Sequence, residues 1–121
     1  MTDEAGRALD LQVGEDVMQW RLDDGGWIGP DGQYTGWKDP EDESRHAWKP
    51  STEMGPAWEL VQKIQRMFSA NFELTCPDHS RPEPWAVTFR SRTYGPEVTA
   101  MGATAPLAIC RAAIQAVKES E

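Results

Sequence analysis

The hydrophobic period changes twice between residues 57 and 117, and that change limits the possible folds more than any other feature. Ala57, Val61, Ile64 and Phe68 recur at helical spacing, with Leu60 and Met67 widening the stripe. The period then drops to two. "NFELTCP" sets Phe72, Leu74 and Cys76 against Glu73 and Thr75, and "WAVTFRS" sets Trp85, Val87 and Phe89 against Ala86, Thr88 and Arg90. "EVTAM" adds Val98 and Ala100 on the inward side, after a turn at "YGP". Helical spacing returns with Leu107, Cys110, Ile114 and Val117, broadened by Ile109 and Ala113, leaving Arg111, Gln115 and Lys118 for solvent. Thr104 is placed to cap this helix, whose first turn tolerates Pro106. The order helix–strand–strand–strand–helix predicts an α+β fold, a three-stranded or larger antiparallel sheet with amphipathic helices packed on it.

Upstream, residues 1–10 read as a flexible acidic tail and residues 11–121 as a single layered domain. "LQVGEDVMQW" carries Leu11, Val13, Val17, Met18 and Trp20 at roughly helical spacing, although Gly14 weakens that helix. "GPDGQ" reads as a turn. Pro30 presets φ, Asp31 bonds its own backbone and Gly32 takes positive φ. The flanks predict a hairpin of Trp27–Ile28 against Tyr34–Thr35, closed by Trp37. This hairpin either extends the sheet or covers its other face. Residues 39–52 form a polar connector, expected to be exposed and clipped to the core by Trp48. Ser51 or Thr52 is placed to cap the next helix, with regular helix expected from Pro56 and Glu59 paired to Lys63 on its wet side.

With 121 residues, 39% of them apolar, the chain suits one soluble domain with a packed core. No apolar run approaches a membrane span of roughly 18 residues, and "MTDEAGRALDLQ" is not a signal peptide. Two cysteines make no disulfide framework, so the expected setting is a reducing cytoplasm. The net charge of −8 is uneven. Residues 1–50 hold 12 acids against 5 bases, a balance of −7, and residues 51–121 hold 8 against 7, a balance of −1. Such a front half repels phosphate backbones. It suits solubility, or a partner with a basic protein surface.

The order of elements is also that of double-stranded RNA-binding domains, and "GATAPLAICRAAIQAV" loosely echoes their last helix. Those domains grip phosphates with lysines where this chain reads "GATAPLA", so direct nucleic-acid binding is not expected. Cys76, Asp78 and His79 are the best metal cluster, yet a fourth ligand is missing and Cys76 continues the inward face of its strand, so no metal or other cofactor is expected. The two histidines, His46 and His79, sit in polar loops outside any catalytic motif. Asp23 and Asp24 could act as paired carboxylates, but a turn-initiating role suits them better. The chain does not read as an enzyme.

Six tryptophans are many for this length. Trp20, Trp58 and Trp85 fall at positions where core or core-edge packing accounts for them. "DDGGWIGPDGQYTGW" is different, with two Trp, one Tyr, five Gly and three Asp in fifteen residues. The heavier reading makes it structural, with Trp27 and Trp37 covering a sheet end. The lighter one makes Asp23, Asp24, Trp27, Asp31, Tyr34 and Trp37 a partner-binding edge, because exposed Trp and Tyr dominate interface energetics.

"VGEDVMQW", "GPAWELVQKI", "FELTC", "WAVTFRS" and "YGPEVTAMGATAPLAICRAAIQAV" resemble the phage ABA sandwich domain proteins, from about Gly14 to Val117 and most specifically from Tyr94 onward. The resemblance implies a bacteriophage or prophage origin and a compact α/β layered fold, and it carries over no active-site residue. The combined expectation is a non-enzymatic phage protein in the cytoplasm of a bacterial host. It would bind a host or phage protein, in the sharper form inhibiting a defence complex in the manner of anti-CRISPR proteins. The alternatives are a self-associating (homo-oligomeric) accessory or assembly protein, or an enzyme of unknown type.

Overall fold

The computed structural model describes residues 4–76, 79–91 and 97–119. Among the described residues, three helices and six strands follow in the order α1 (Arg7–Asp16), β1 (Arg21–Asp23), β2 (Gly26–Ile28), β3 (Tyr34–Lys38), α2 (Met54–Phe68), β4 (Ala70–Thr75), β5 (Trp85–Ser91), β6 (Glu97–Gly102) and α3 (Ala105–Glu119). The strands form two separate antiparallel sheets, β1-β2-β3 and β4-β5-β6. The α+β architecture expected from the period changes is therefore the one observed.

The larger sheet follows its alternation closely. Phe72 pairs with Phe89 and Phe89 with Val98, while Leu74 pairs with Val87 and Val87 with Ala100, so one face is apolar throughout. The other face is mostly polar, with Ala86 and Met101 paired at one end. It carries a Thr88–Thr99 hydroxyl hydrogen bond of 2.9 Å and an Arg90–Glu97 ion pair of 3.4 Å. The turn expected at residues 94–96 lies outside the described residues. Helices α2 and α3 pack on the sheet and on each other, and α1 packs on α3. Helix α3 is buried on most of its circumference, and its first turn is capped by Thr104 Oγ1, which accepts the Leu107 N–H at 3.3 Å.

Four local expectations need correction. Helix α1 starts at Arg7 rather than Leu11, so residues 7–10 are not tail. Leu9, Val13 and Val17, at successive intervals of four, are all fully buried. Helix α2 starts at Met54, with Glu53 as its N-cap and no side-chain cap, so neither Ser51 nor Thr52 caps it. Pro56 fits there because the first-turn N–H groups have no helical partner to lose. The connector 39–52 is exposed only in part, since Pro40, Ala47, Trp48, Pro50 and Ser51 are buried. Arg111 is not left to solvent. Its guanidinium donates to the Met101 carbonyl at 2.8 Å and to Glu83, tying α3 to β6 and to the loop before β5.

Candidate functional site

The aromatic stretch forms the small sheet. Its first turn is the two-residue connection Asp24–Gly25, with φ of 52° and 77° and Asp23 paired to Gly26. Positive φ at both central residues suits an Asp-Gly hairpin. The second turn reads as the sequence predicts. Gly32 N–H donates to the Gly29 carbonyl at 3.0 Å, Gly32 has φ 81°, and Asp31 Oδ1 accepts the Gln33 N–H at 3.0 Å. Ile28 pairs with Tyr34, with a register shift between Gly26 and Ile28. The two turns lie at opposite ends of β2. Asp23 and Asp24 thus lie at one end of β2 and Asp31 at the other, and with Trp27 buried the six predicted residues do not form one continuous surface.

Two of them face inward. Trp27 is fully buried, so it is not a contact residue. A Cβ on Gly14 would sit 2.6 Å from Trp27 Cη2, so the glycine that weakens α1 on propensity is the seat of this indole. Trp27 meets Trp48 edge-on at 5.8 Å and Trp20 at 6.1 Å, and Trp20 meets Trp48 at 4.8 Å. These spacings are those of favourable ring pairs. Among the described residues, Trp27 Nε1 has no acceptor. Trp37 is half-buried and its Nε1 donates to Glu59 Oε2 at 3.4 Å, while Trp48 Nε1 donates to Glu59 Oε1 at 3.0 Å. Glu59, assigned from sequence to an ion pair with Lys63, is instead an acceptor for two indoles, and it locks the small sheet and the connector to α2.

The other four face solvent. Asp23 and Asp24 are exposed, with Asp23 4.0 Å from the Arg21 guanidinium. Asp31 is exposed, and Tyr34 is 63% exposed, the most open large hydrophobic side chain among the described residues. The Tyr34 ring lies across Gly26, where a Cβ would come within 3.1 Å of Cε1. Tyr34 and Asp31 share an open groove of about 430 Å³ with Trp20, Pro30, Gln33 and Thr35. The sequence accounts for Trp20 by packing alone. Trp20 belongs to both the buried cluster and the groove wall, a double role that only the long-range contacts reveal.

Asp10, placed in the tail by sequence, is 2% exposed and accepts the Ser51 N–H at 2.8 Å. Burial raises its carboxyl above the ordinary value, while the Ser51 N–H and hydroxyl pull the other way. Asp39 is lowered, chiefly by the Arg7 guanidinium at 2.9 Å. Cys110 is fully buried, and its thiol is pushed well up by loss of solvent and then by Asp10. Cys76 is half-buried with Sγ 3.4 Å from His79 Nδ1, and Asp78, the third member of that cluster, lies outside the described residues. Among the described residues no group of three or more His, Cys, Asp or Glu could hold a metal ion. No described helix is long and apolar enough to cross a membrane.

Comparison with known proteins places these features in a family. The family model for the phage ABA sandwich domain matches residues 12–114. The chain belongs to this family. A phage ABA sandwich domain of this kind has a solved structural neighbour, the 2.0 Å crystal structure of a phage protein from Bacillus cereus ATCC 14579. The TM-score is 0.65, with 18% identity over 98% of this chain and 89% of that one. At that identity the likeness speaks for the fold alone. No match is found among curated proteins. The phage ABA sandwich domain thus brings a phage kinship and a scaffold, and its surface has to be read from this chain's own residues.

Proposed function

We propose that this phage protein works inside a bacterial host cell as a small acidic binding protein, and that its contact face is the outer side of the small sheet around Tyr34 and Asp31. The supporting observation is the exposure of Tyr34 at 63% on a hairpin anchored by the buried Trp27 and by the Trp37–Glu59 bond, which presents a large ring at little conformational cost. The charge balance of −7 over residues 1–50 favours a partner with a basic, nucleic-acid-binding surface. Inhibition of a host defence complex is the sharper form of this reading. Capture from host lysate with the wild type and with Tyr34→Ala tests it. The wild type retains a salt-sensitive partner and the variant loses most of it. Equal capture by both removes the face from the account.

Self-association is the second reading, and it has its own observation. Met54 and Trp58 on α2 are 42% and 44% exposed, and Trp58, expected in the core, instead meets Phe72 edge-on at 5.6 Å beside the outer strand β4. Native mass spectrometry decides between the readings, with a dimer dispersed by Trp58→Glu favouring the second.

A further inference from the structure

We propose that the groove between Trp20 and Tyr34 receives an arginine side chain of the partner protein, its guanidinium stacked on the rings and paired with Asp31. This rests on the reading that the small sheet is a protein-binding face, and it names the chemistry recognised there.

Three observations carry it. Two aromatic rings line one open groove, and ring faces attract cations. Asp31 is held in a fixed orientation, because its Oδ1 takes the Gln33 N–H at 3.0 Å and sits where a Cβ on Gly29 would come within 3.1 Å. Oδ2 has no bond of that kind among the described residues, and the residue is exposed. An apolar occupant would desolvate this carboxylate without compensation, whereas a cation pairs with it. The chain's own Arg21, which follows Trp20, directs its guanidinium to Asp23 at 4.0 Å.

Arginine fits better than lysine. Its guanidinium is planar, stacks on aromatic faces and sheds water more easily, while the ammonium of lysine is a strongly hydrated point charge. A nucleic-acid base could also stack on the rings. Its phosphates would then meet the acidic front of the molecule.

The test is an NMR titration of the full chain with acetyl-Gly-Arg-Gly-amide, and with the same peptide carrying lysine or norleucine. Saturable shifts at the Trp20 indole and at the backbone of residues 29–35 are expected, with at least threefold tighter binding of the arginine peptide than of the lysine one. Asp31→Asn and Tyr34→Ala, both on exposed positions, weaken it at least threefold while the remaining spectrum stays native. Equal binding of arginine and lysine overturns the proposal. So do shifts spread over Asp23, Asp39 and Glu41, or no saturation at Trp20. If the probe fails while Tyr34→Ala still abolishes partner capture, arginine is the wrong occupant and the contact face stands. If capture ignores Tyr34→Ala, the face itself is wrong.

Discussion

In the larger sheet β4, β5 and β6 pair in unbroken register over six positions at each junction, whereas β1 and β2 of the smaller sheet have three residues each and β2 slips register against β3. The first is specified by alternation, which puts Phe72, Leu74, Val87, Phe89 and Val98 on the helix-covered face. The second is too short and too rich in glycine to stand that way. It is held by indoles, with Trp27 seated on Gly14 and Trp37 joined with Trp48 at Glu59. A strand can therefore be placed by what it packs against as firmly as by its own pattern.

The largest effects fall on the two anchors. Phe89→Ala and Trp27→Ala should each cost about 3–5 kcal/mol in chemical denaturation. They should differ in where amide protection is lost. Trp27→Ala exposes β1, β2 and β3 first, and Phe89→Ala exposes β4, β5 and β6. Loss of protection everywhere at once in the Trp27 variant would break the distinction between the sheets. Next comes Gly14→Ala. It improves helix propensity by about 0.5–1 kcal/mol, yet its new methyl meets Trp27, so a net loss of about 1–3 kcal/mol is expected. A gain in melting temperature would show that the indole is not seated there. Glu59→Leu leaves the buried Trp48 N–H without its acceptor and should cost about 1–3 kcal/mol, only partly restored in Glu59→Gln, whose single amide oxygen can serve one of the two indoles.

A pH effect sharpens the tie between α1 and the connector. The Asp10 carboxyl is raised, so the native state holds its proton more tightly than the unfolded chain. Its contribution is complete below the ordinary value of 3.8 and is lost as pH rises through the folded-state value. Asp39 is opposite. Its contribution is present above the ordinary carboxylate range and is lost as pH falls through its lowered value. Asp10→Asn should flatten the decline in melting temperature on raising pH from 4 toward neutrality, and an unchanged profile would count against the buried carboxyl. The smallest effects are at the surface and the caps. Tyr34→Ala should change stability by less than about 0.5 kcal/mol. Ser69→Gly, at the left-handed end of α2 with φ 50°, should gain up to ~1 kcal/mol in denaturation.

The same contrast explains what could be read in advance. The alternating strands, the helix carrying Leu107 and Ile114, the "GPDGQ" turn and the hairpin were all legible, because each is specified by neighbours in sequence. The early start of α1 is written in the spacing of four between Leu9, Val13 and Val17, but Gly14 lowers helix propensity in the middle of that pattern, so the two local signals disagree. The role of Glu59 was hidden in position, though not in chemistry. Buried indoles need acceptors, so many tryptophans imply that some carboxylate or carbonyl turns inward. Nothing local says that Trp58 faces solvent while Trp27 does not, since that depends on which helix face meets which sheet. The groove was half legible. Asp31 sits in the turn that marked it and Tyr34 opens the strand after it, while Trp20 lies just before β1, two strands away.

The central claim is a division of labour among the aromatics, with Trp27 and Trp48 as internal anchors and Tyr34, beside Trp20, as the external contact. Hydrogen exchange of the six indole N–H groups, followed individually by NMR, tests it most directly. The account predicts that Trp27 and Trp48 exchange slowest, near the rate of global unfolding, Trp37 faster, and Trp58 close to the free rate. A Trp27 indole that exchanges as fast as that of Trp58 would contradict it.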